Sequence, residues 1–367
     1  MKATVTRKEL NEALAIAASA TSQRTPSAVY GMIRLEAGDG KLNLMGCDGE
    51  MWASSTIPAE VNVEGITCVP QQLFSQIVAA LPEGECHLEL EGTSLCLRQN
   101  ESDWRMTTML VEGFPPIESI NATNTLTLPF GELKAAVEGV AFAVSDDIGN
   151  RAVLTGILFS YDGTTLTLVA TDTHRLAVNR VHRSGIGSSL TVIVSEKALK
   201  TIRNLPLADD TELTLSFDES RISVEVGGNK VVSQLLTGQY PNWERVVPSE
   251  FTREWIVDKA ALHDNVKRAM ILARDSANRI RFSGKGDKVV ISARSEDKGE
   301  AKEEVPVVGK NGDLEIAFNG RYVMDALQAT KSDGIRAEMT ESSRPAVLRP
   351  TEGGDDHFCV VMPMAIG

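Results

Sequence analysis

At 367 residues, with 42% hydrophobic and 24% charged residues, the chain is long enough for two or three domains, each with its own core. A formal net charge of −13 argues against a simple module that grips DNA by neutralising phosphates, because such modules carry a basic balance. It leaves room for a protein that keeps its few basic residues on one surface and holds DNA by enclosure.

No apolar run approaches the roughly 20 residues that a membrane helix needs, and residues 1–7 lack an apolar signal core after their charges. Neither membrane insertion nor export is expected. The five cysteines (Cys47, Cys68, Cys86, Cys96, Cys359) are odd in number and none is spaced as a metal pair. Three of them sit in strand-like segments, where cysteine is expected as a small buried hydrophobe, and a reducing cytoplasm fits best.

In chain order, the first apolar stripe is Leu10, Leu14, Ala17 and Thr21, which follows i, i+4, i+7, i+11 and predicts a helix packed on one side. A hairpin follows, with strands at 32–35 and 42–45 around Gly38-Asp39-Gly40. A second helix is expected over 71–81 behind Pro70, then an alternating strand at 87–91, and Phe114-Pro115 closes the segment. The same order begins again with Leu133, Val137, Val140 and Val144. Its hairpin has strands at 156–160 and 166–169 around Asp162-Gly163. A helix over 196–205 behind Ser195 comes next, then a strand at 212–216 and Tyr240-Pro241. A third stripe is Leu262, Val266, Ala269 and Ala273, with a hairpin of 279–283 and 289–292. Residues 295–304 read as an exposed loop or edge. A last helix over 321–329 starts behind Asn319, and the chain closes on residues 360–364.

The stripes recur about a third of the chain apart, so one unit of strand, helix, strands, helix, strands is written three times. The expectation is an α+β fold with three similar domains, at 1–122, 123–252 and 253–367. Units with strands at both ends have free sheet edges to cover. Edge-to-edge pairing would join them in a row, which a second chain could complete into a ring.

The second hairpin runs into residues 170–178, Ala-Thr-Asp-Thr-His-Arg-Leu-Ala-Val, a polar turn between two strands. A His-Arg pair on a turn held by strands suits recognition. A solvated hairpin is the plainer alternative. No catalytic constellation stands out. Asp146-Asp147, Asp209-Asp210 and Asp355-Asp356 read as solvated turn residues, and His87, His182, His263 and His357 show no metal-ligand spacing. Residues 184–188 lack the lysine of a phosphate-binding loop. No enzyme, cofactor or metal is expected.

Thr171-Asp172-Thr173-His174-Arg175-Leu176, Tyr240-Pro241 with Arg245-Val246, and the terminal Met362-Pro363-Met364 together resemble the bacterial sliding clamps, the beta subunits of the replicative DNA polymerase. The resemblance runs the length of the chain. It implies a ring of two head-to-tail chains, with helices lining the hole and sheets forming the wall. Duplex DNA would pass through without being read while the ring tethers the polymerase. Partners implied are duplex DNA, the replicative polymerase, an ATP-dependent loader, and other polymerases and repair proteins carrying a short binding peptide. That peptide is typically a glutamine followed by leucine and phenylalanine.

By the same resemblance, the peptide pocket would have walls of Leu154, Thr171, His174, Arg175, Leu176, Pro241, Val246, Met362, Pro363 and Met364. Arg245, Asn319, Tyr322 and Ser343 would form its polar rim, with Pro345 nearby. Arg24 matches a DNA-contacting position of the family. Lys134, Lys197, Lys200, Arg203 and Arg274 are DNA-facing candidates from their expected places on helices. Trp104 and Met106 would meet Ile271 and Leu272 of the partner chain at the ring joint. Two departures stand out: the family often follows Met-Pro-Met with a basic and then a large apolar residue, whereas this chain has Ala365-Ile366-Gly367, and Ile148 replaces a polar position. Two other readings remain open, a peptide-binding scaffold of the same fold that no longer encircles DNA, and a hydrolase using His174 with Asp172.

Overall fold

The computed structural model describes every residue except 24–26, 118, 148, 150, 311–312, 354 and 367. The chain divides into two compact units, one of Met1–Gly131 with Lys197–Leu235, the other of Glu132–Glu196 with Leu236–Gly367.

In the first unit, helix α1 (Arg7–Ser19) starts where Thr6 turns extended and caps it. The Thr6 hydroxyl accepts the Glu9 N–H at 3.3 Å and donates to the Glu9 carboxylate at 2.6 Å, so backbone and side chain are satisfied together. Leu10, Leu14 and Ala17 are fully buried against strands Lys41–Cys47 and Met51–Pro58, while Thr21 falls beyond the helix end. Helix and sheet come so close that a Cβ on Gly46 would stand 2.0 Å from the Ala17 carbonyl oxygen, which is why glycine sits there. Helix α2 (Gln71–Ala80) packs beside α1 and buries Phe74, Ile77 and Val78.

Two antiparallel sheets complete this unit. The five-stranded one ends on the edge strand Ser102–Thr107. The eight-stranded one joins sequence from two repeats, because Asn229–Gln234 pairs with Met51–Pro58 in the register Val231↔Ala53.

Helices α3 (Phe130–Ala141) and α4 (Glu196–Arg203) each begin at the division between the units. On α3, Leu133, Val137 and Val140 are buried, and Val144 lies past its end.

The second unit repeats the plan. Asp258 caps α5 (Lys259–Ala273) by accepting the Ala261 N–H at 2.7 Å, and Leu262, Val266, Ala269 and Ala273 all face inward. Helix α6 (Gly320–Ala329) packs beside it, capped by Asn319. A nine-stranded sheet again joins two repeats, through Arg175–His182 paired with His357–Val361. A four-stranded sheet lies under α5, and the polar stretch expected at 295–304 forms its edge strand, Gly299–Pro306. These two cross-repeat ladders explain why the compact units cut through the second repeat rather than between repeats.

Candidate functional site

The turn between Thr165–Thr171 and Arg175–His182 is fixed by its own short side chains. Asp172 Oδ1 accepts the N–H groups of His174 (2.9 Å) and Arg175 (3.0 Å), and Thr171 Oγ1 accepts the Thr173 N–H at 3.2 Å. Thr173 sits at φ 78°, a left-handed conformation that these bonds hold in place. The first unit builds the same turn. There Asp48 Oδ1 accepts from Glu50 and Met51, and Gly49 has φ 97°.

The chain terminus is tied to this turn. Strand His357–Val361 runs beside it with Val361 opposite Arg175, and the Met362 N–H donates to the His174 carbonyl at 2.9 Å. Two residues on, the Met364 N–H donates to Ala317 O at 2.7 Å, on the strand that leads into Asn319 and α6. His174, Met362, Pro363, Met364 and Asn319 are thereby drawn into one continuous rim by main-chain bonds. Pro345 joins it because the next residue, Ala346, pairs with Val361, and Ser343 is exposed two residues earlier.

Tyr322 projects from α6 into the same assembly. Its ring stacks on His174 at 6.3 Å and lies 4.5 Å beneath the Arg175 guanidinium. Arg175 is not a free recognition group. Its Nε donates to Asp172 (3.0 Å), its Nη1 to Asp325 (2.5 Å), and its side chain is 13% exposed. It works as a brace that locks the turn to α6. Both Asp172 oxygens are engaged by this lattice, which removes the acid–base pairing of Asp172 with His174 that the hydrolase reading requires.

The apolar side is built on a cluster that includes Leu158, Val169, Leu176 and Phe358, with Val153, Tyr240 and Trp243 packed against it. The Tyr240 hydroxyl donates to Val169 O at 3.3 Å, and burial pushes its phenol well above the ordinary range. This anchors the short helical turn Trp243–Val246, leaving Pro241, Arg245 and Val246 exposed. Of the expected walls, Leu154, Thr171 and Leu176 are buried. Val246 (42% exposed) and Met362 (37%) present apolar surface to solvent.

The other expectations divide. Arg24 and Ile148 lie outside the described residues. Lys197, Lys200 and Arg203 follow one another at helical spacing on α4, with Lys197 ion-paired to Asp48. Lys134 is half-buried on α3 and Arg274 is exposed just after α5. At the expected joint, Trp104 (45% exposed) and Ile271 (69%) are open, and Leu272 is half-buried. Met106 departs from expectation: it is 1% exposed within the core of its own unit, opposite Leu95, so its side chain offers nothing to a partner. Asp355 and Asp356 also differ from plain solvated turns. Asp355 sits 3.2 Å from Arg336, and Asp356 sits 2.6 Å from His182. Among the described residues no group of three His, Cys, Asp or Glu side chains could hold a metal.

Three family models match in succession, each described as a domain of the DNA polymerase III beta subunit: N-terminal over residues 1–118, central over 127–242 and C-terminal over 244–365. The chain belongs to the DNA polymerase III beta subunit family. The beta sliding clamp of Escherichia coli is 30% identical over the full length of both chains, and that of Staphylococcus aureus is 28% identical over 97% of this chain and 96% of its own. Among solved structures, the beta subunit of Thermotoga maritima superposes with a TM-score of 0.93 at 27% identity. A Pseudomonas aeruginosa sliding clamp bound to griselimycin gives 0.91 at 27%, and both are covered completely, as is this chain.

Reading the family motifs in this sequence reached the rim but missed its braces. Asp325 and Phe142, whose ring lies 5.4 Å from the Arg175 guanidinium, belong to no motif. A signal for Asp325 was present, since Tyr322 and Asp325 are three apart on α6 and share a face.

Proposed function

We propose that this chain is the processivity clamp of a replicative DNA polymerase: two copies close head to tail around duplex DNA, and client proteins dock by a short peptide on the rim around His174. In this reading the three domains are 1–122, 123–252 and 253–367. The observation that carries the docking site is the rim itself. The turn and the strand leading into α6 are tied to residues 362–364 by main-chain hydrogen bonds, Arg175 braces the turn to α6, and Met362 stays exposed beside His174 and its stacked Tyr322. Apolar walls with a few placed polar groups suit a peptide anchor.

Closure of the ring is supported by two edge strands, Ser102–Thr107 and Gly299–Pro306, near exposed Trp104 and Ile271. The first strand carries Asp103 and Arg105, and the second Lys302 with Glu300, Glu303 and Glu304, so each offers charged groups of both signs to a facing edge. Lys134, Lys197, Lys200, Arg203 and Arg274 are the proposed DNA-facing cations, together with Arg24 on the family resemblance alone. Their contacts would be weak, because a sliding ring gains nothing from tight phosphate binding. The clients are the replicative polymerase, an ATP-driven loader, other polymerases and repair proteins. A cytoplasmic location fits the five free, buried cysteines, and no helix among the described residues is long and apolar enough to cross a membrane.

The deciding experiment loads labelled protein onto nicked circular DNA with its loader, isolates the complex and cuts the circle once. Retention on circles with loss from linear ends supports enclosure. Equal loss from both forms, with client peptide still bound, would instead identify a scaffold that does not encircle DNA.

A further inference from the structure

Beyond the rim, the face of the four-stranded sheet turned away from α5 forms an open groove of about 780 Å³. Its lining is mixed in charge, with Arg279, Arg281, Arg294 and Lys302 alongside Asp275, Glu296, Asp297 and Glu300, and Ile366 lies along it. Three of these cations already have a carboxylate. Arg281 stands 3.2 Å from Glu315, Arg294 3.6 Å from Glu300, and Lys302 3.7 Å from Glu304. Arg279 has none among the described residues. Its Nη1 donates to the Ala365 carbonyl at 3.4 Å, and in the sheet it stands directly opposite Asn319.

The groove is continuous with the docking rim. Asn319 belongs to that rim, Met364 is bonded to Ala317, and Ala317 lines the groove. Chain leaving the rim across the terminus therefore passes over Arg279. A half-buried guanidinium with donors to spare and no ion pair among the described residues is a receiver for a carboxylate.

We propose that this groove extends the client site, and that Arg279 binds an acidic residue in the stretch of client peptide flanking its anchor. The inference rests on the docking rim being the client site. Arg279 then acts as a specificity residue: it adds little to the anchor and discriminates among flanks.

The test uses fluorescence anisotropy with the full-length protein and synthetic peptides. Each peptide carries a Gln-Leu-Phe anchor, with two aspartates before it, two aspartates after it, or two asparagines at the same places. One acidic peptide is expected to bind about fivefold more tightly than its asparagine counterpart at low salt, an advantage that shrinks as salt rises. In Arg279→Gln that advantage disappears while affinity for the asparagine peptides is unchanged. Arg294→Gln, which removes an already paired cation, leaves the advantage in place. An acidic advantage that survives Arg279→Gln, or no advantage on either flank, overturns the proposal. If the asparagine peptides fail to bind the unaltered protein, the docking rim itself is wrong and this extension falls with it.

Discussion

Arg175→Ala tests whether Arg175 is a brace or a recognition group. The substitution removes charge-assisted bonds to Asp172 and Asp325 and the stacking on Tyr322. It leaves Asp172 with its two backbone donors, so the turn persists while its tie to α6 is cut. Breaking a fully buried ion pair costs ~3–5 kcal/mol. Asp325 is 27% exposed and can rehydrate, so the expected loss is smaller, about 2 kcal/mol. For a unit of this size that lowers the melting temperature by roughly 4–8 °C.

Denaturant unfolding should show a lower midpoint with an unchanged m-value. Peptide affinity should also fall, because His174 and Tyr322 are no longer held in stack. Arg175→Lys should recover little, since one ammonium cannot bridge two carboxylates and stack on a ring. Asp325→Asn should weaken peptide binding in the same direction by a smaller amount. If Arg175→Ala melts with the unaltered protein and only peptide binding falls, Arg175 touches the client directly and the bracing argument is refuted.

Three further outcomes are expected. Gly46→Ala should destabilise the first unit by several kcal/mol, because its Cβ would meet a backbone oxygen at 2.0 Å, whereas Gly113→Ala, with open space around it, should melt normally; thermal denaturation separates them. The five cysteines should resist a thiol reagent in the native protein and react on unfolding, since burial pushes Cys47 and Cys68 up to about 11 and Cys359 up to about 12. Fast labelling of the folded protein would contradict this burial. His357 should make the second unit acid-sensitive: burial lowers its pKa below 6.5, so the fold favours the neutral ring and the unfolded chain takes up the proton first. Its contribution is complete above about pH 6.5. It is lost as the pH falls through the lowered value. His357→Gln should flatten the stability profile in that window, and an unchanged acid limb would rule His357 out.

Much of the fold was legible because its signals are local. The stripe from Leu262 to Ala273 is buried throughout, and every expected hairpin and second helix is present. Helix ends were less legible. Thr21 and Val144 keep the helical period after α1 and α3 have stopped, and periodicity alone carries no stop signal. The cross-repeat ladders, such as Val178 opposite Phe358, were legible only as a general need to cover sheet edges. Register between distant strands depends on partners that no window of sequence contains.

The rim was read through a family likeness, and of its residues the structure brings His174, Tyr322 and Met362 together at the turn. Met106 shows the limit of that reading. It lies two residues from exposed Trp104, on the same face of an edge strand, yet the core reaches only as far as Met106. Where a core ends is a property of packed layers, and alternation along one strand cannot reveal it.

The turn built twice separates holding a shape from presenting chemistry. At Asp48 and at Asp172 the same carboxylate bonds fix the loop, and a distant strand closes it in the same way, Gln234 N–H to Glu50 O and Met362 N–H to His174 O, each at 2.9 Å. The outward side chains differ completely, Gly-Glu in one and Thr-His in the other. Residues 50 and 174 can therefore be exchanged while the carboxylate bonds hold the loop, whereas residue 49, at φ 97° and with a Cβ there 3.0 Å from the Tyr30 hydroxyl, favours glycine. If clients dock at His174 as proposed, a single side chain on a fixed loop sets that surface, and Glu50→His on the first turn would show how portable it is.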